Sequence, residues 1–546
     1  MVTVSEVQGL VKSGGLADVA KALPQALKAL HQQVAIALPA YRSVPGKEDA
    51  ELVLETELTH WPHTQYRVLK RDLDGVPIYL IDCPAYFDRP ALYAENNQAY
   101  ADNGERFGFF SAACLDVLPK LGIQPDIIHA NDWHTGLVPF LLKTRYRYDS
   151  FFEQVKSVLT VHNAIFKGIF SYHQLEVIPE LNLSGMEFLQ YGHDHVSMLR
   201  AGIAFADKVN AVSPNYAAEL LTPLGAHGLV DDFVRRARDL HGIVNGCDYS
   251  EWNPRTDHYL PATYSDEPES MRKGKALCKT ALQEELHLPV TDVPLFGMVC
   301  RLTHQKGFHY LLPILEQFLR NNVQVVIVGT GEPEVAARLN KIAHYHRAKF
   351  AFVETYSERL AHWVEAGSDF FLMPSEFEAC GLNQIYSMAY GTLPIVREVG
   401  GLKDTVNDYD KFPERATGFG YQEPTPEALL ITMQRALLFY LQQPEEMLKV
   451  QQRAMQQNFS WEESAQEYMK MYRLARCWLT ISPSDLKRQQ CWLPLQVVWV
   501  YEASLRHRKV PFFCFTQQFL TTGGILLTKI MVVLACVIKR FQCLPL

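Results

Sequence analysis

The eleven cysteines include no Cys-x-x-Cys pair, so neither a zinc ribbon nor a thioredoxin-like dithiol is encoded. There is no His-Glu-x-x-His, which leaves zinc-protease chemistry without its ligand spacing. Gly-x-Ser-x-Gly and a paired Cys/His signature are also missing, so a covalent acyl-enzyme finds no support. Neither the dinucleotide fingerprint G-x-G-x-x-G nor the P-loop G-x-x-x-x-G-K-[ST] occurs. No basic segment followed by an apolar run opens the chain, so a signal peptide is not expected and the thiols are expected to stay reduced in the cytoplasm.

Charge of one sign is scarce too. The net charge of −8 over 546 residues gives no global attraction for nucleic acid or anionic lipid, so an anionic ligand must be held by a local cluster of cations. The exception is residues 476–546, where nine Lys/Arg face two acids and five cysteines crowd together. That segment carries +7, leaving −15 for the first 475 residues. Its run "FLTTGGILLTKIMVVLACVI" (Phe519–Ile538) approaches membrane-span length, but Gly523, Gly524 and Lys529 interrupt it. No membrane partner is expected, and the segment reads as an extension foreign to the rest.

What is abundant is alternation of short apolar runs with helical stretches. "VAIALP" (34–39), "PIYLID" (77–82), "DIIHA" (126–130), "SVLTVHN" (157–163) and "KVNAVS" (208–213) read as buried strands. A second series follows at "LFGMVCR" (295–301), "VQVVIVG" (323–329), "KFAFVE" (349–354), "DFFLMPS" (369–375) and "LPIVRE" (393–398). Strands alternating with helices imply parallel sheets covered on both faces, and two series imply two doubly wound α/β domains. The turn-rich "GIVNGCDYSEWNP" (242–254) is the expected junction.

In open α/β sheets the ligand crevice lies past the strand C-termini. Lys12, Gly14 and Gly15 stand there first, before a helix; they are read either as a plain strand-to-helix turn or as a turn whose N–H groups receive an anion. "CRLTHQKG" sets Arg301 and Lys306 past a strand, either as a solvated loop or as paired cations for a diphosphate. "HANDWH" and "TVHN" supply His129, His134 and His162 at strand ends. Their spacing suits sugar hydroxyls better than a metal, with Trp133 and Tyr93 as apolar platforms. In "PSEFEACGL", Glu376 and Glu378 share one side if extended, and Cys380–Gly381–Leu382 open the next helix. Glu378 could then grip sugar hydroxyls, unless the segment is only a charged loop.

Together these stations resemble the bacterial glycogen synthases, the ADP-glucose-using branch of the retaining GT-B glycosyltransferases, close to plant starch synthases. The matching pieces are "KSGGLADV", "YADNGERF", "HANDWHTGLVP", "TVHNAIFKG", "AVSPNYAAEL", "NGCDYSEWNP", "RLTHQKG", "SEFEACGLNQIYSMAYGTLPIVREVGGLKDTV" and "FSWEESAQEYMKMY", in family order up to about residue 475. The resemblance implies a GT-B fold of two Rossmann-like domains facing a cleft. It implies transfer of glucose with retention from ADP-glucose to the 4-OH of an α-1,4-glucan such as glycogen. No cofactor and no metal are implied. Lys12, Gly14 and Gly15 would cradle the nucleotide-sugar near its diphosphate, with Asp18 in the same motif. Arg301 and Lys306 would neutralise the departing diphosphate, Glu378 would bind donor hydroxyls, and His162 would stand beside the sugar. Asp132 and Asn163 would be its polar neighbours, and Cys380, Gly381 and Leu382 would help hold the donor. Attack from the leaving-group face would need no protein nucleophile.

The implied organisation is an acceptor domain over 1–241, a nucleotide-sugar domain over 242–458, a helix crossing back over 459–475 and an atypical segment over 476–546. Three departures stand out. A related E-x7-E pattern expects an acid at 386, where this chain has Tyr386; Glu376 stands where arginine is expected in some relatives; and the segment before Lys12 reads as a few residues short, with "MVTV" a thin first strand. The alternatives are a same-fold enzyme using UDP-glucose and a glucan-binding protein with impaired catalysis.

Overall fold

The computed structural model describes residues 1–477, except Thr59, His63 and Asn97. The expectations for the basic extension fall almost wholly outside the described residues.

Two sheets organise the chain. The first is built from β1 (Val2–Thr3), β2 (Ile36–Pro39), β3 (Glu51–Glu57), β4 (Gln65–Leu73), β5 (Val76–Asp82), β6 (Ile127–Asn131), β7 (Lys156–Val161), β8 (Lys208–Ala211) and β9 (Leu240–Gly242). Their spatial order is β9-β8-β7-β6-β1-β2-β5-β4-β3. Pairing is parallel from β9 to β5, but β4 runs antiparallel to both β5 and β3. The sheet is therefore mixed at one edge, a correction to the all-parallel expectation. Glu51–Glu57 (ELVLETE) is exposed or half-exposed throughout, as an edge strand tolerates, and its apolar run is only Leu52–Val53–Leu54, too short to announce it. β1 is only two residues long, yet it sits centrally between β2 and β6.

The second sheet comprises β10 (Leu295–Val299), β11 (Gln324–Val328), β12 (Phe350–Val353), β13 (Phe370–Met373), β14 (Leu393–Arg397) and β15 (Phe419–Tyr421), in the order β12-β11-β10-β13-β14-β15 and parallel throughout. The ten expected strands all form, each within two residues of its expected bounds. Both sheets bury β-branched and aromatic side chains on the two faces, giving separate apolar cores.

Six helices position the site: α1 (Gly15–Ala29), α2 (Pro214–Glu219), α3 (Glu358–Gly367), α4 (Asn383–Ala389), α5 (Gly400–Thr405) and α6 (Trp461–Cys477). α6 follows the second sheet but packs on the first lobe. Tyr468, Met471 and Tyr472 join Val19, Leu23 and Val158 in one cluster, and Ser464 Oγ donates to Val244 O at 2.8 Å.

Candidate active site

The first station grows from the turn after β1. Val7 and Val11 bridge antiparallel around Gly9, whose φ of 89° is the left-handed region that glycine supplies without strain. This fold-back lays Glu6 beside the Lys12–Gly15 loop. Its carboxylate accepts from Ser13 N, from Ser13 Oγ at 2.6 Å, from Gly14 N at 3.2 Å and from Tyr93 Oη at 2.6 Å. Gly14 N is thus already bonded within the protein, which corrects the expectation that it stands open to an anion. Lys12 Nζ reaches Asp18 Oδ1 at 2.6 Å, one helical turn into α1. Gly14 has an extended backbone that any residue adopts, and a Cβ at either Gly14 or Gly15 would meet no protein atom within 4 Å. Neither the backbone nor a protein neighbour explains the missing side chains; they leave open volume in front of α1.

The second station lies past β6 and β7. Asp132 has φ 54° and ψ −169°, a conformation populated almost only by glycine. Its carboxylate accepts from His162 N at 2.7 Å and its own N–H donates to Thr160 O at 2.9 Å, which ties the strained residue to the neighbouring strand. Burial pushes the Asp132 carboxyl up to about 7, against the backbone N–H groups of His162 and Asn163. His162 Nε2 lies 2.9 Å from Asn131 Oδ1. Burial lowers the His162 imidazole to about 3, so the ring is neutral at physiological pH and acts as a hydrogen-bonding group. Asn163 Oδ1 accepts from Ile165 N at 3.0 Å and shapes the following turn.

Three neighbouring expectations are corrected. His129 lies within β6 and bonds Tyr472 Oη at 2.8 Å and Thr160 Oγ1 at 2.7 Å, so it braces α6. Trp133, only 8% exposed, stacks on His134 at 4.0 Å and packs against Phe107, so it is core and offers a sugar no platform. The Tyr93 hydroxyl is held by Ser5 and Glu6 while its ring packs on His134, so Tyr93 is no free platform either. Among the described residues no three His, Cys, Asp or Glu side chains converge as a metal-ligand set.

The second lobe contributes the loops after β10 and β13. Lys306 Nζ sits 2.6 Å from Glu378 Oε2, which also accepts from Ser375 Oγ at 3.1 Å. Arg301 is exposed two residues past β10; its carbonyl accepts from Thr303 N at 3.0 Å, while its guanidinium makes no hydrogen bond or ion pair among the described residues. Glu376 and Glu378 do not act together. Glu376 turns to His309 and Tyr310, whereas Glu378 turns to Lys306. Cys380 is 5% exposed and packs into the first lobe's core cluster; burial pushes its thiol up to about 12. Gly381 takes φ 74° and Leu382 is the N-cap of α4. Tyr386 stacks flat on Trp252 at 3.9 Å, and the other face of Trp252 stacks on His362 at 3.8 Å. The position where an acid was expected is therefore filled by an aromatic stack between the junction segment and helices α3 and α4.

Hydrogen bonds bring the lobes together. Ser213 Oγ donates to Ala379 O at 2.7 Å, beside Glu378 and Cys380. Two further bonds join α2 to α5. The chemistry available is that of two lysines each held by a carboxylate, Lys12 by Asp18 and Lys306 by Glu378. A diphosphate can replace the carboxylates as lysine partner, which leaves those oxygens free to accept sugar hydroxyls. Glu6 was not foreseen, and Asn131 and Ser213, which stand at expected strand ends, had been given no role. The Ser-Glu pair at the end of a thin apolar strand was the only available sign of Glu6.

The chain matches the family described as starch synthase catalytic domain over residues 1–235 and glycosyl transferases group 1 over residues 283–457. It is 61% identical to a glycogen synthase of Vibrio atlanticus, over 86% of this chain and 97% of that one. Identity to a glycogen synthase of Vibrio parahaemolyticus is 63% over the same shares. Among solved structures it resembles the catalytic domain of starch synthase IV from Arabidopsis thaliana bound to ADP and acarbose, with a TM-score of 0.78 and 30% identity, covering 87% of this chain and 98% of that one. A sucrose-phosphate synthase of Thermosynechococcus elongatus shares the fold at a TM-score of 0.54 and 19% identity. With two α/β lobes meeting at these loops, the chain is a GT-B glycosyltransferase and belongs to the glycogen synthase family.

Proposed function

We propose that the chain transfers glucose from ADP-glucose to the non-reducing 4-OH of an α-1,4-glucan, with retention and release of ADP. The observation that carries this reading is the Lys306–Glu378 pair at 2.6 Å, at the mouth of the second lobe's loops. Breaking the bond to the diphosphate develops negative charge on the leaving group and positive charge on the sugar. Lys306 and Arg301 meet the first, and Glu378, released from Lys306, binds hydroxyls of the second. Such contacts strengthen as charge develops, which is the condition for acceleration.

On this reading Lys12, Gly14 and Gly15 border the donor with Asp18, and the volume left by the two glycines admits its phosphates. His162, Asp132 and Asn163 form the sugar side of the cleft; Cys380, Gly381 and Leu382 lead into α4 behind the donor. Residues 1–241 present the acceptor, residues 242–458 hold the nucleotide-sugar, and 459–475 tie the second lobe back to the first. Burial pushes both Cys300 and Cys380 thiols up to about 12, so neither supplies a thiolate nucleophile at neutral pH. Attack from the leaving-group face, with a phosphate oxygen receiving the acceptor proton, fits that arrangement. The ADP held by the Arabidopsis starch synthase supports an adenine nucleotide donor. The cytoplasm is the proposed location.

The test is glucose incorporation into glycogen in the presence of EDTA, with ADP-glucose compared against UDP-glucose. Incorporation from ADP-glucose alone is expected. Preference for UDP-glucose would overturn the donor assignment, and glycogen binding without incorporation from either donor would overturn the catalytic one.

A further inference from the structure

Glu6 is the least exposed acid of the first station, 4% exposed, and lies in no motif that the resemblance assigned. A carboxylate taken from water needs several donors to offset its desolvation. Glu6 has four: two backbone N–H groups of the loop, one loop hydroxyl and one phenol. They come from two separate parts of the chain. Ser13 and Gly14 lie seven and eight residues on, and Tyr93 lies 87 residues on, just before the helix Asn103–Leu121. No salt bridge to Glu6 competes with these bonds among the described residues.

The arrangement fixes the direction in which the loop faces. With the N–H groups of Ser13 and Gly14 turned inward onto Glu6, the next residue, Gly15, begins α1. The first N–H groups of a helix have no acceptor one full turn back; in α1 Ala17 N donates to Gly14 O at 3.3 Å, which leaves Gly15 N and Leu16 N at the helix start, beside glycines whose Cβ positions are open space. Lys12, immediately before the clasp, is tied to α1 through Asp18. Without the clasp, a loop with two adjacent glycines would spread over many conformations, and donor binding would have to order it.

We infer that Glu6 is a positioning residue for the donor, a buried internal anion that fastens the Lys12–Gly15 loop from behind so that Lys12 and the start of α1 meet the diphosphate preformed. Glu6 touches no reacting atom; it acts through Ser13, Gly14 and Tyr93. The inference rests on the reading that this loop contacts the donor.

The experiment uses the full chain and four variants: Glu6→Gln, Glu6→Asp, Ser13→Ala and Lys12→Ala. Initial rates are measured against ADP-glucose and, separately, against glycogen. Glu6→Gln keeps size but removes the charge, and with its oxygen on the two N–H groups its amide nitrogen can no longer accept from Ser13 Oγ and Tyr93 Oη, so KM for ADP-glucose should rise about tenfold or more, with KM for glycogen within about twofold. Ser13→Ala changes an exposed side chain, cannot disturb the core, and should raise the same KM about threefold. Glu6→Asp, which retains the charge, should recover part of the loss. If Lys12→Ala raises KM for ADP-glucose while Ser13→Ala and Glu6→Gln leave it within twofold, Glu6 does not position the loop. If Lys12→Ala leaves it unchanged, the assignment of the loop to the donor falls instead. A Glu6→Gln chain that does not fold leaves Ser13→Ala to decide.

Discussion

Glu219 and Asp404 cap each other's helices across the two lobes. Glu219 Oε1, at the end of α2, accepts from Gly400 N at the start of α5 at 2.8 Å. Asp404 Oδ2, near the end of α5, accepts from Asn215 N at the start of α2 at 2.7 Å. The helices therefore lie antiparallel, each supplying the acceptor that the other's first turn lacks.

This reciprocal pair predicts a measurable opening. Loss of one helix cap costs about 0.5–2 kcal/mol, and here the bond lost is also one between lobes. Glu219→Ala and Asp404→Ala should each increase the radius of gyration of the ligand-free protein in small-angle scattering. Turnover should fall by up to about tenfold, because the site residues come from both lobes and must be assembled before reaction. An unchanged radius with unchanged turnover would show that the lobes are held by other contacts.

Lys306 and Glu378 make a sharper claim about chemistry. On the proposed reading, Lys306→Ala removes a fixed cation that meets the leaving group, a change that costs on the order of 100-fold to 1,000-fold in kcat where such donors have been removed. Glycogen affinity, read by co-sedimentation, should stay within about twofold. Equal losses in turnover and in glycogen binding would place Lys306 on the acceptor instead.

Asp132 gives one pH-dependent contribution to stability that a variant can isolate. Its folded carboxyl is raised to about 7 by burial, above the ordinary unfolded value near 4. The sign follows from linkage: the folded state binds the proton more tightly, so the contribution is fully present below pH 4 and is lost as pH rises through about 7. Between those values the slope from this one group is at most about 1.4 kcal/mol per pH unit. Urea unfolding of the native chain and of Asp132→Asn should thus diverge with pH, the native chain losing stability relative to the variant from pH 5 to 7.5. A pH-independent gap would mean that Asp132 does not titrate in this window. His162, held neutral to about pH 3, should contribute no inflection to the rate profile above pH 5.

How legible the site was depended on sequence distance. The strand "LFGMVCR" announced itself by composition, and β10 occupies its first five residues. Lys306 and Glu378 were marked by standing just past such strands, where the fold puts its crevice. The clasp on Glu6 was silent, because one partner, Tyr93, is 87 residues away and nothing local pairs them. Trp133 and Tyr93 were misread for the same reason. An aromatic at a strand end looks like a sugar platform until the helix Asn103–Leu121 brings Phe107 against both. Glu51–Glu57 gave only the short apolar run Leu52–Val53–Leu54, since an edge strand on a mixed sheet needs no more.

Tyr386 gives the last test, because it asks whether the missing acid is a loss or a replacement. The ring lies parallel to Trp252, 3° from coplanar, and Trp252 in turn covers His362. Burial raises the Tyr386 phenol well above its ordinary value, and Asp18, Glu251 and Glu365 all bear on it electrostatically with the same sign. A carboxylate introduced here would meet three acids and lose the stack, so Tyr386→Glu should lower the melting temperature, by the equivalent of about 2–4 kcal/mol. Tyr386→Phe keeps the stack and should leave both stability and turnover within about twofold of the native chain in equilibrium and rate terms. If Tyr386→Phe instead lost turnover at unchanged melting temperature, the hydroxyl would be a working group of the site and the stack incidental. If Tyr386→Glu proved stable and more active, the acid of the related pattern would fit this scaffold after all.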